Sequence, residues 1–233
     1  MVSWGVVEGT NIGYIYALDW FGNPPGQSGT LFGQAVDELL HKDRVRGLIL
    51  DFRTNTGGYA AHLNDGFTQL FNIDPTPNFS QALRVRGTDH FNFTLSPPDS
   101  VEDYWPDLYF TPTTYPFDHP IAVLTGPACG SMGDYNAFRM RFHPMARFFG
   151  MPTSGAYTAV SNQWWAQYPF GTLAGPYFCR VDDGSVYSNY NSEGYMIHKP
   201  FPVDDHVWLT RDGVAKGQDD VLNHALAWIT SLT

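Results

Sequence analysis

Ser131 is the residue of this sequence whose surroundings are best suited to chemistry. It directly follows the glycine-rich turn Gly126-Pro127-Ala128-Cys129-Gly130, and a short apolar run at 120–125 precedes that turn. A buried strand, a tight turn and a helix that begins near Ser131 would present its hydroxyl at the edge of a sheet. The free N–H groups at the helix start would favour a developing negative charge. This spacing fits a serine nucleophile, and it equally fits a serine that only caps a helix.

A second glycine turn lies in a similar context. Gly57-Gly58 also follows an apolar run and precedes a helical pattern. Two such turns at adjacent strand ends could present N–H groups to one point, and oxyanion holes are commonly built from two donors on separate loops. We therefore expect an oxyanion hole formed by Gly57 or Gly58 together with Met132. The alternative is that these glycines only permit a sharp strand-to-helix turn.

The elements that would position these turns alternate between strand and helix. Strands are predicted at 4–7, 12–16, 47–52, 120–125 and 146–150. Helices are predicted at 30–41, over the apolar face that runs from 60 to 71, at 131–143 and at 219–232. The runs at 47–52 and 120–125 are continuously apolar, as is typical of strands buried on both faces of a parallel sheet. The alternation predicts an α/β fold class.

Two stretches break this alternation. Residues 73–119 are rich in proline, aromatic and polar residues, and we interpret them as an irregular excursion with a short hairpin near 83–93. Residues 157–217 indicate a β-rich, irregular portion, with Asp182-Asp183-Gly184 as a hairpin turn.

Composition restricts the classes of function. The 233 residues are 43% hydrophobic and 15% charged, which suits one large domain with a substantial core. The net charge of -10 and the lack of a basic run argue against a nucleic-acid partner. No apolar run reaches the length of a membrane span. No pair of histidines has metal-ligand spacing on a helix, so we predict no metal and no cofactor.

Several segments, in chain order, resemble the motifs of the tail-specific (C-terminal processing) serine peptidases. Residues 47–58 resemble G-L-I-L-D-L-R-x-N-x-G-G, and 120–134 resemble P-V-V-V-L-x-x-x-x-S-A-S-A-S-E with Ser131 on the nucleophile. Residues 150–155 match G-x-P-T-x-G at the family's spacing from the serine. Weaker matches lie at 12–15, 202–207 and 217–219.

The resemblance covers nearly the whole chain. It implies a ClpP/crotonase-like β-β-α spiral core with a β-rich C-terminal portion and a closing helix, forming one peptidase core domain over 1–233. It also implies hydrolysis of peptide bonds in a peptide or protein substrate, through an acyl-enzyme on Ser131. An extracytoplasmic or secreted location is expected from the resemblance and from two glycosylation-type triplets, at 78–80 and 92–94.

One position departs from the family pattern. Bacterial members carry a lysine as general base where this chain has Ala156, and alanine cannot accept a proton. The chain is more similar to the tricorn-core branch, which uses serine and histidine supported by a second serine and a glutamate. Glu193 is our candidate for that glutamate, although it also fits an exposed turn acid. In that branch the histidine precedes the core, so we expect upstream domains to be absent from this chain.

Other hypotheses remain open at this point. The general base could come from another chain, or from His90 or His198 within this one. A non-catalytic module on the same fold could bind apolar ligands or peptides in an aromatic groove, and an esterase could use the same nucleophile. The groove candidates are Trp164, Trp165, Tyr168, Phe170 and Tyr177.

Overall fold

A computed structural model describes most of the chain. It describes residues 1–59, 62–73, 111–156 and 202–233 with their side chains, and the backbone of strands at 79–84, 93–95 and 178–181. The chain divides into two compact units. The first comprises 1–75, 107–154 and 201–233, and the second comprises 76–106 and 155–200.

The described elements alternate as the sequence predicts in the first unit. The strands are β1 (Val2–Val6), β2 (Gly13–Ala17), β3 (Leu48–Asp51), β4 (Phe79–Arg84), β5 (Phe93–Leu95), β6 (Ile121–Thr125), β7 (Ala146–Gly150), β8 (Phe178–Val181) and β9 (Asp205–His206). The helices are α1 (Gln27–Asp37), α2 (Asn64–Phe67), α3 (Met132–Met140), α4 (Arg211–Ala215) and α5 (Asp220–Thr230), and α1 continues as a π-helical turn, Glu38–Lys42.

The first unit is built on a six-stranded sheet in the order β1-β2-β3-β6-β7-β9. Only β1 pairs antiparallel, with β2, and the remaining neighbours are parallel. This arrangement confirms the predicted α/β fold class. In the second unit β4 pairs antiparallel with β5 and with β8, so the predicted hairpin is confirmed by strands that flank residues 85–92.

The central strands β3 and β6 are buried along their whole length. Alternate side chains of a strand point to opposite faces, so each of these strands needs cover on both faces. The closing helix α5 covers one face. Its residues Val221, Ala225 and Ile229 pack in one cluster with Ile12, Ile49, Ala122, Leu124 and Phe149. Their burial fixes the sheet whose ends carry the two glycine turns.

Two predicted helices differ from the structure. The helix over 60–71 shortens to α2, and the backbone continues from Phe67 to Leu70 in turns of the i to i+3 type. Gly66 explains part of this, because glycine weakens a helix and here lets the chain approach Phe32 closely. The helix at 131–143 begins at Met132, with Ser131 in the N-cap position. No helix in the described ranges has the length and apolar character needed to cross a membrane.

Candidate active site

The two glycine turns leave the same edge of the sheet. Strands β3 and β6 are parallel neighbours, with Asp51 opposite Leu124. Since parallel strands end at one edge, the segments that follow them emerge side by side. The peptide N–H of Gly130 donates to the carbonyl of Asn55 at 2.9 Å, which joins the two turns directly.

Ser131 has an unusual backbone. Its φ of 54° and ψ of −123° form a combination that residues with a Cβ rarely adopt. Such a conformation costs about 1–3 kcal/mol and persists only where the surroundings impose it. Here the preceding turn and the following helix impose it: Gly133 N–H donates to Gly130 at 2.8 Å, and Tyr135 N–H donates to Ser131 at 3.1 Å.

The Ser131 hydroxyl does not cap the helix that it precedes. Ser131 occupies the N-cap position of α3, yet its side chain accepts no hydrogen bond from the first turn. Asp219 and Thr210, which precede α5 and α4, do cap their helices through their side chains. Capping therefore does not explain the serine at this position, and its hydroxyl is left available for another purpose.

Asn55 organises the second turn. Its side chain is fully buried, and its Nδ2 donates to the carbonyl of Ala17 at 2.9 Å. Its Oδ1 accepts the N–H of Gly57 at 3.0 Å. Asn55 lies within the matched segment 47–58, but its residue type and position alone indicate no role for it. A buried amide between two glycine turns is the signal that could have identified it.

The two glycines of this turn have different roles. The Gly57 N–H is bonded to Asn55, and the Gly57 carbonyl accepts the N–H of Trp20 at 2.8 Å. Gly58 forms a parallel bridge with Trp20, in which Tyr59 N–H donates to the Trp20 carbonyl. Within the part of the chain that the structure describes, no group accepts a hydrogen bond from the N–H of Gly58 or of Met132. The N–H groups of Gly58 and Met132 are therefore the two donors available to bind an oxyanion.

Gly57 lies directly against Ser131. Its φ is 99°, and a Cβ at this position would lie 2.5 Å from the Ser131 Cβ and 2.9 Å from the Met132 nitrogen. Gly58, with φ 140°, would place a Cβ 2.5 Å from the carbonyl carbon of Trp20. Both positions therefore require glycine, for backbone conformation and for close approach.

A third segment, which contains Ser154, is hydrogen-bonded to the residues on either side of Ser131. Ser154 N–H donates to the Cys129 carbonyl at 2.8 Å, and Ser154 Oγ donates to Asp134 Oδ2 at 3.3 Å. Ala156, two residues further on, is exposed. In the sequence, this alanine stands where the lysine-dependent members have their basic residue.

Arg53 links the second turn to the closing helix. Its guanidinium bonds to both oxygens of Asp51 and to both oxygens of Asp219, with distances from 2.6 to 3.2 Å. Burial favours the neutral form of Arg53, but these hydrogen bonds outweigh it and raise its pKa above the ordinary value. Burial, followed by the charge of Asp51, raises the pKa of Tyr14, whose hydroxyl donates to Asp51 at 2.6 Å. Near neutral pH Arg53 is therefore charged and Tyr14 is neutral.

Cys129 is not a competing nucleophile. It is a free, buried cysteine, and burial raises the pKa of its thiol well above the ordinary value, with smaller contributions from the charges of Asp134 and Asp51. A thiol that remains protonated reacts poorly.

The remaining candidates divide between the described residues and the rest of the chain. Glu193, His90, His198 and the five aromatic residues of the suggested groove lie outside the described residues. None of the six described histidines hydrogen-bonds to Ser131: His41, His62, His119, His143, His206 and His224. Among the described residues there is also no cluster of three or more His, Cys, Asp or Glu side chains that could hold a metal ion.

Comparison with known proteins gives a family match. Residues 11–170 match peptidase family S41. That range includes both glycine turns and Ser131, and it extends over more than half of the chain. No curated protein matches the sequence.

Solved structures share the fold at low sequence identity. A protein assigned as a peptidase from Parabacteroides merdae ATCC 43184 superposes with a TM-score of 0.66 at 18% identity, over 98% of this chain and 64% of its own. The photosystem II D1 C-terminal processing protease gives 0.52 at 15%, over 88% and 48%. The tricorn protease gives 0.51 at 19%, over 95% and 18%. The chain thus spans less than two thirds of the length of each of these proteins.

Proposed function

The chain belongs to peptidase family S41, and on that premise we propose that it is a serine peptidase that cleaves peptide bonds through an acyl-enzyme on Ser131. The backbone of Ser131 is the observation that carries the proposal. It is held at φ 54° and ψ −123° although its hydroxyl caps nothing. Strain of this kind is found where a nucleophile must stand clear of a strand-to-helix turn.

Acylation follows from the positions of the available groups. Ser131 Oγ attacks the carbonyl carbon of the scissile bond while its proton passes to a general base. The N–H groups of Gly58 and Met132 bind the oxyanion that forms, and the N-terminal end of α3 adds its positive dipole. The carbon–nitrogen bond then breaks, and the base returns the proton to the leaving amine.

Deacylation repeats these steps with water. The base removes a proton from a water molecule, which attacks the ester on Ser131. The same two N–H groups bind the second oxyanion. The carbon–Oγ bond breaks, the base returns the proton to Oγ, and the new carboxylic acid leaves and loses its proton to water.

The general base is the part of the proposal that departs from the lysine-dependent members. Ala156 offers no proton acceptor, so we assign the role to a histidine, with Glu193 as its support. This follows the resemblance to the tricorn-core branch. A histidine base must be neutral to accept the proton, so the acylation rate should rise as pH increases through about 6.5. A rate that is flat between pH 5 and 8 would contradict a histidine base.

The test compares two serine substitutions in the full-length protein. Ser131→Ala should reduce peptide hydrolysis and labelling by a fluorophosphonate probe by at least about 10³-fold, because the nucleophile is removed. Ser231→Ala is the matched control, since Ser231 Oγ only donates to the Trp228 carbonyl at the end of α5. Its rates should equal those of the wild type.

Two results would overturn the proposal. One is equal labelling and hydrolysis by the Ser131→Ala variant and the wild type. The other is a folded wild-type protein that neither reacts with the probe nor hydrolyses peptides. The second result would favour the alternative, a binding module for apolar ligands or peptides. Turnover of short esters without turnover of peptides would instead indicate an esterase that uses the same serine.

A further inference from the structure

Asn55 connects three separate segments around the proposed site. Its Nδ2 donates to Ala17 at the end of β2, its Oδ1 accepts from Gly57, and its main-chain carbonyl accepts from Gly130. The side chain is fully buried, so no water competes for these bonds. All three partners are main-chain groups, which means that Asn55 fixes backbone positions.

We propose that Asn55 is a positioning residue that holds the Gly58 and Met132 N–H groups in register with Ser131. The inference rests on the proposed function, because it concerns how that site is assembled. Asn55 does not touch the reacting atoms. It acts through Gly57 on one turn and through Gly130 on the other.

The bond to Gly57 sets which N–H group is available. Asn55 Oδ1 takes the Gly57 N–H, and the Gly57 carbonyl is taken by the Trp20 N–H. With both of its polar main-chain groups bonded, Gly57 cannot rotate without breaking one of these bonds. The next N–H along the chain, that of Gly58, therefore keeps one direction and is left without an acceptor among the described residues.

The bond to Gly130 sets the serine turn against the same residue. The Asn55 carbonyl accepts the Gly130 N–H, one residue before Ser131. Gly133, in the first turn of α3, lies so close that a Cβ would be 2.4 Å from the Asn55 carbonyl oxygen. The start of α3, which carries the Met132 N–H, thus packs on the residue that orients Gly57. A displacement of about 1 Å in such a site can reduce a rate by ~10²-fold.

The chemistry of the side chain is specific to an amide. The position needs one donor for Ala17 and one acceptor for Gly57, which asparagine supplies at a single branch point. An ionised aspartate would keep the acceptor but oppose the Ala17 carbonyl with a second negative oxygen. A protonated aspartate would supply a donor again. This difference makes Asn55→Asp a variant whose activity should be restored by acid.

The experiment measures acylation by a fluorophosphonate probe, together with kcat and KM for a peptide, in the full-length protein and below the unfolding temperature of each variant. Asn55→Ala should lower the labelling rate and kcat by about 10²-fold, as expected for losing an aligned oxyanion donor, with KM changed less than about threefold. Thr125→Val is the matched control. Thr125 is also fully buried, and its hydroxyl donates to a backbone carbonyl, that of Met151, at 2.9 Å. Its rates should stay within about threefold of the wild type, because the hydrogen bond that it loses, to the Met151 carbonyl, holds neither of the two glycine turns.

The Asn55→Asp variant provides a second readout that a purely structural role would not move. A buried carboxyl beside a carbonyl titrates above its usual range. The ratio of the variant rate to the wild-type rate should therefore rise about tenfold as pH falls from 8 to 5, although each rate alone declines with the base. Protonation of the histidine base slows the variant and the wild type equally, so it does not change this ratio.

The outcomes separate this inference from the proposed function. If the wild type labels and Asn55→Ala labels equally well while folded, Asn55 has no positioning role. If Asn55→Ala does not fold, a pH-independent ratio for Asn55→Asp overturns the inference. A wild-type protein that does not react at all overturns the proposed function, and the role of Asn55 with it.

Discussion

The loop that follows β3 is held in place by two residues, Arg53 and Asn55, which use different kinds of hydrogen bond. We call the contacts of Arg53 the charged side of the loop and the contacts of Asn55 its neutral side. On one side Arg53 is held by charged hydrogen bonds to Asp51 and Asp219. On the other side Asn55 bonds only to uncharged main-chain groups. The charged side reaches across 166 residues to the start of α5. The neutral side reaches the turn that carries Ser131.

This difference separates stability from alignment. Attraction between charges falls slowly with distance, whereas a neutral hydrogen bond weakens steeply when its length or angle changes. The Arg53 side can hold the closing helix against the sheet while tolerating small movements. The Asn55 side fixes directions. Substitutions on the charged side should therefore change the free energy of unfolding, and substitutions on the neutral side should change the reaction rate.

The largest expected effect lies on the neutral side, at Gly57. A Cβ there would lie 2.5 Å from the Ser131 Cβ, and the φ of 99° is itself strained for alanine. Gly57→Ala should reduce fluorophosphonate labelling by more than about 10³-fold, because both donor turns must move apart. Gly9→Ala is the matched control, since Gly9 has φ 74° with no atom within 4 Å of its added Cβ. A Gly57→Ala variant that labels as fast as Gly9→Ala would show that the reaction does not need the close approach of Gly57 to Ser131.

The next largest effect lies on the charged side, at Arg53. Arg53→Met leaves Asp51, which is 1% exposed, and Asp219 without their cation. The free energy of unfolding should fall by about 3 kcal/mol, as is typical when one partner of a buried ion pair is removed. Labelling of the folded protein should stay within about threefold of the wild type. Chemical denaturation and labelling at low denaturant measure the two quantities.

The control for this prediction is Lys42→Met. Lys42 pairs with Glu38 on the protein surface at 2.8 Å, and solvent screens such a pair, so its removal should leave the free energy of unfolding unchanged within the error of the measurement. If Arg53→Met resembles Lys42→Met in stability but loses its labelling, the two sides do not differ as we describe.

A smaller effect is expected at Asp219, with a defined dependence on pH. Burial opposes its ionisation, but hydrogen bonds from Arg53 and from the Leu222 N–H outweigh it, so the pKa of Asp219 lies below the ordinary 3.8. Near that pH the unfolded chain binds more protons than the folded chain. The stabilisation is therefore complete above about pH 4 and is lost as pH falls towards the folded pKa.

Asp219→Asn isolates the charge, since asparagine caps a helix about as well as aspartate. The variant should be less stable than the wild type by about 2 kcal/mol at pH 7, because hydrogen bonds to a charged group are lost. The difference should shrink below about pH 4. Urea denaturation at pH 7 and pH 3 measures it. A difference that is the same at both pH values would contradict a role for the carboxylate charge.

The sequence was sufficient for the elements and for the two turns. Continuous apolar runs predict β3 and β6 because burial on both faces leaves no polar side to detect. Ser131 and the glycines follow from the strand-turn-helix spacing. The sequence could not distinguish Gly57 from Gly58, because which N–H group is available depends on Asn55 Oδ1, a contact made only in the folded chain.

The contacts between distant segments also could not be predicted from the sequence. Nothing local to Arg53 or Asp219 indicates that they meet, because their pairing depends on where α5 packs on the sheet. The shortness of α2 has a similar origin. Its apolar periodicity predicts a longer helix, and the close approach of Gly66 to Phe32, which explains part of the difference, is a contact made only in the folded chain.

The central claim is that Ser131 is the nucleophile, and locating the covalent adduct tests it most directly. The full-length protein would be treated with a fluorophosphonate, digested with trypsin and sequenced by tandem mass spectrometry. Cleavage after Arg86 and Arg139 releases a peptide that contains three serines, Ser96, Ser100 and Ser131. We predict that the phosphonyl group lies on Ser131 alone. An adduct on another serine, or hydrolysis of peptides by a protein whose Ser131 stays unmodified at saturating probe, would contradict the claim.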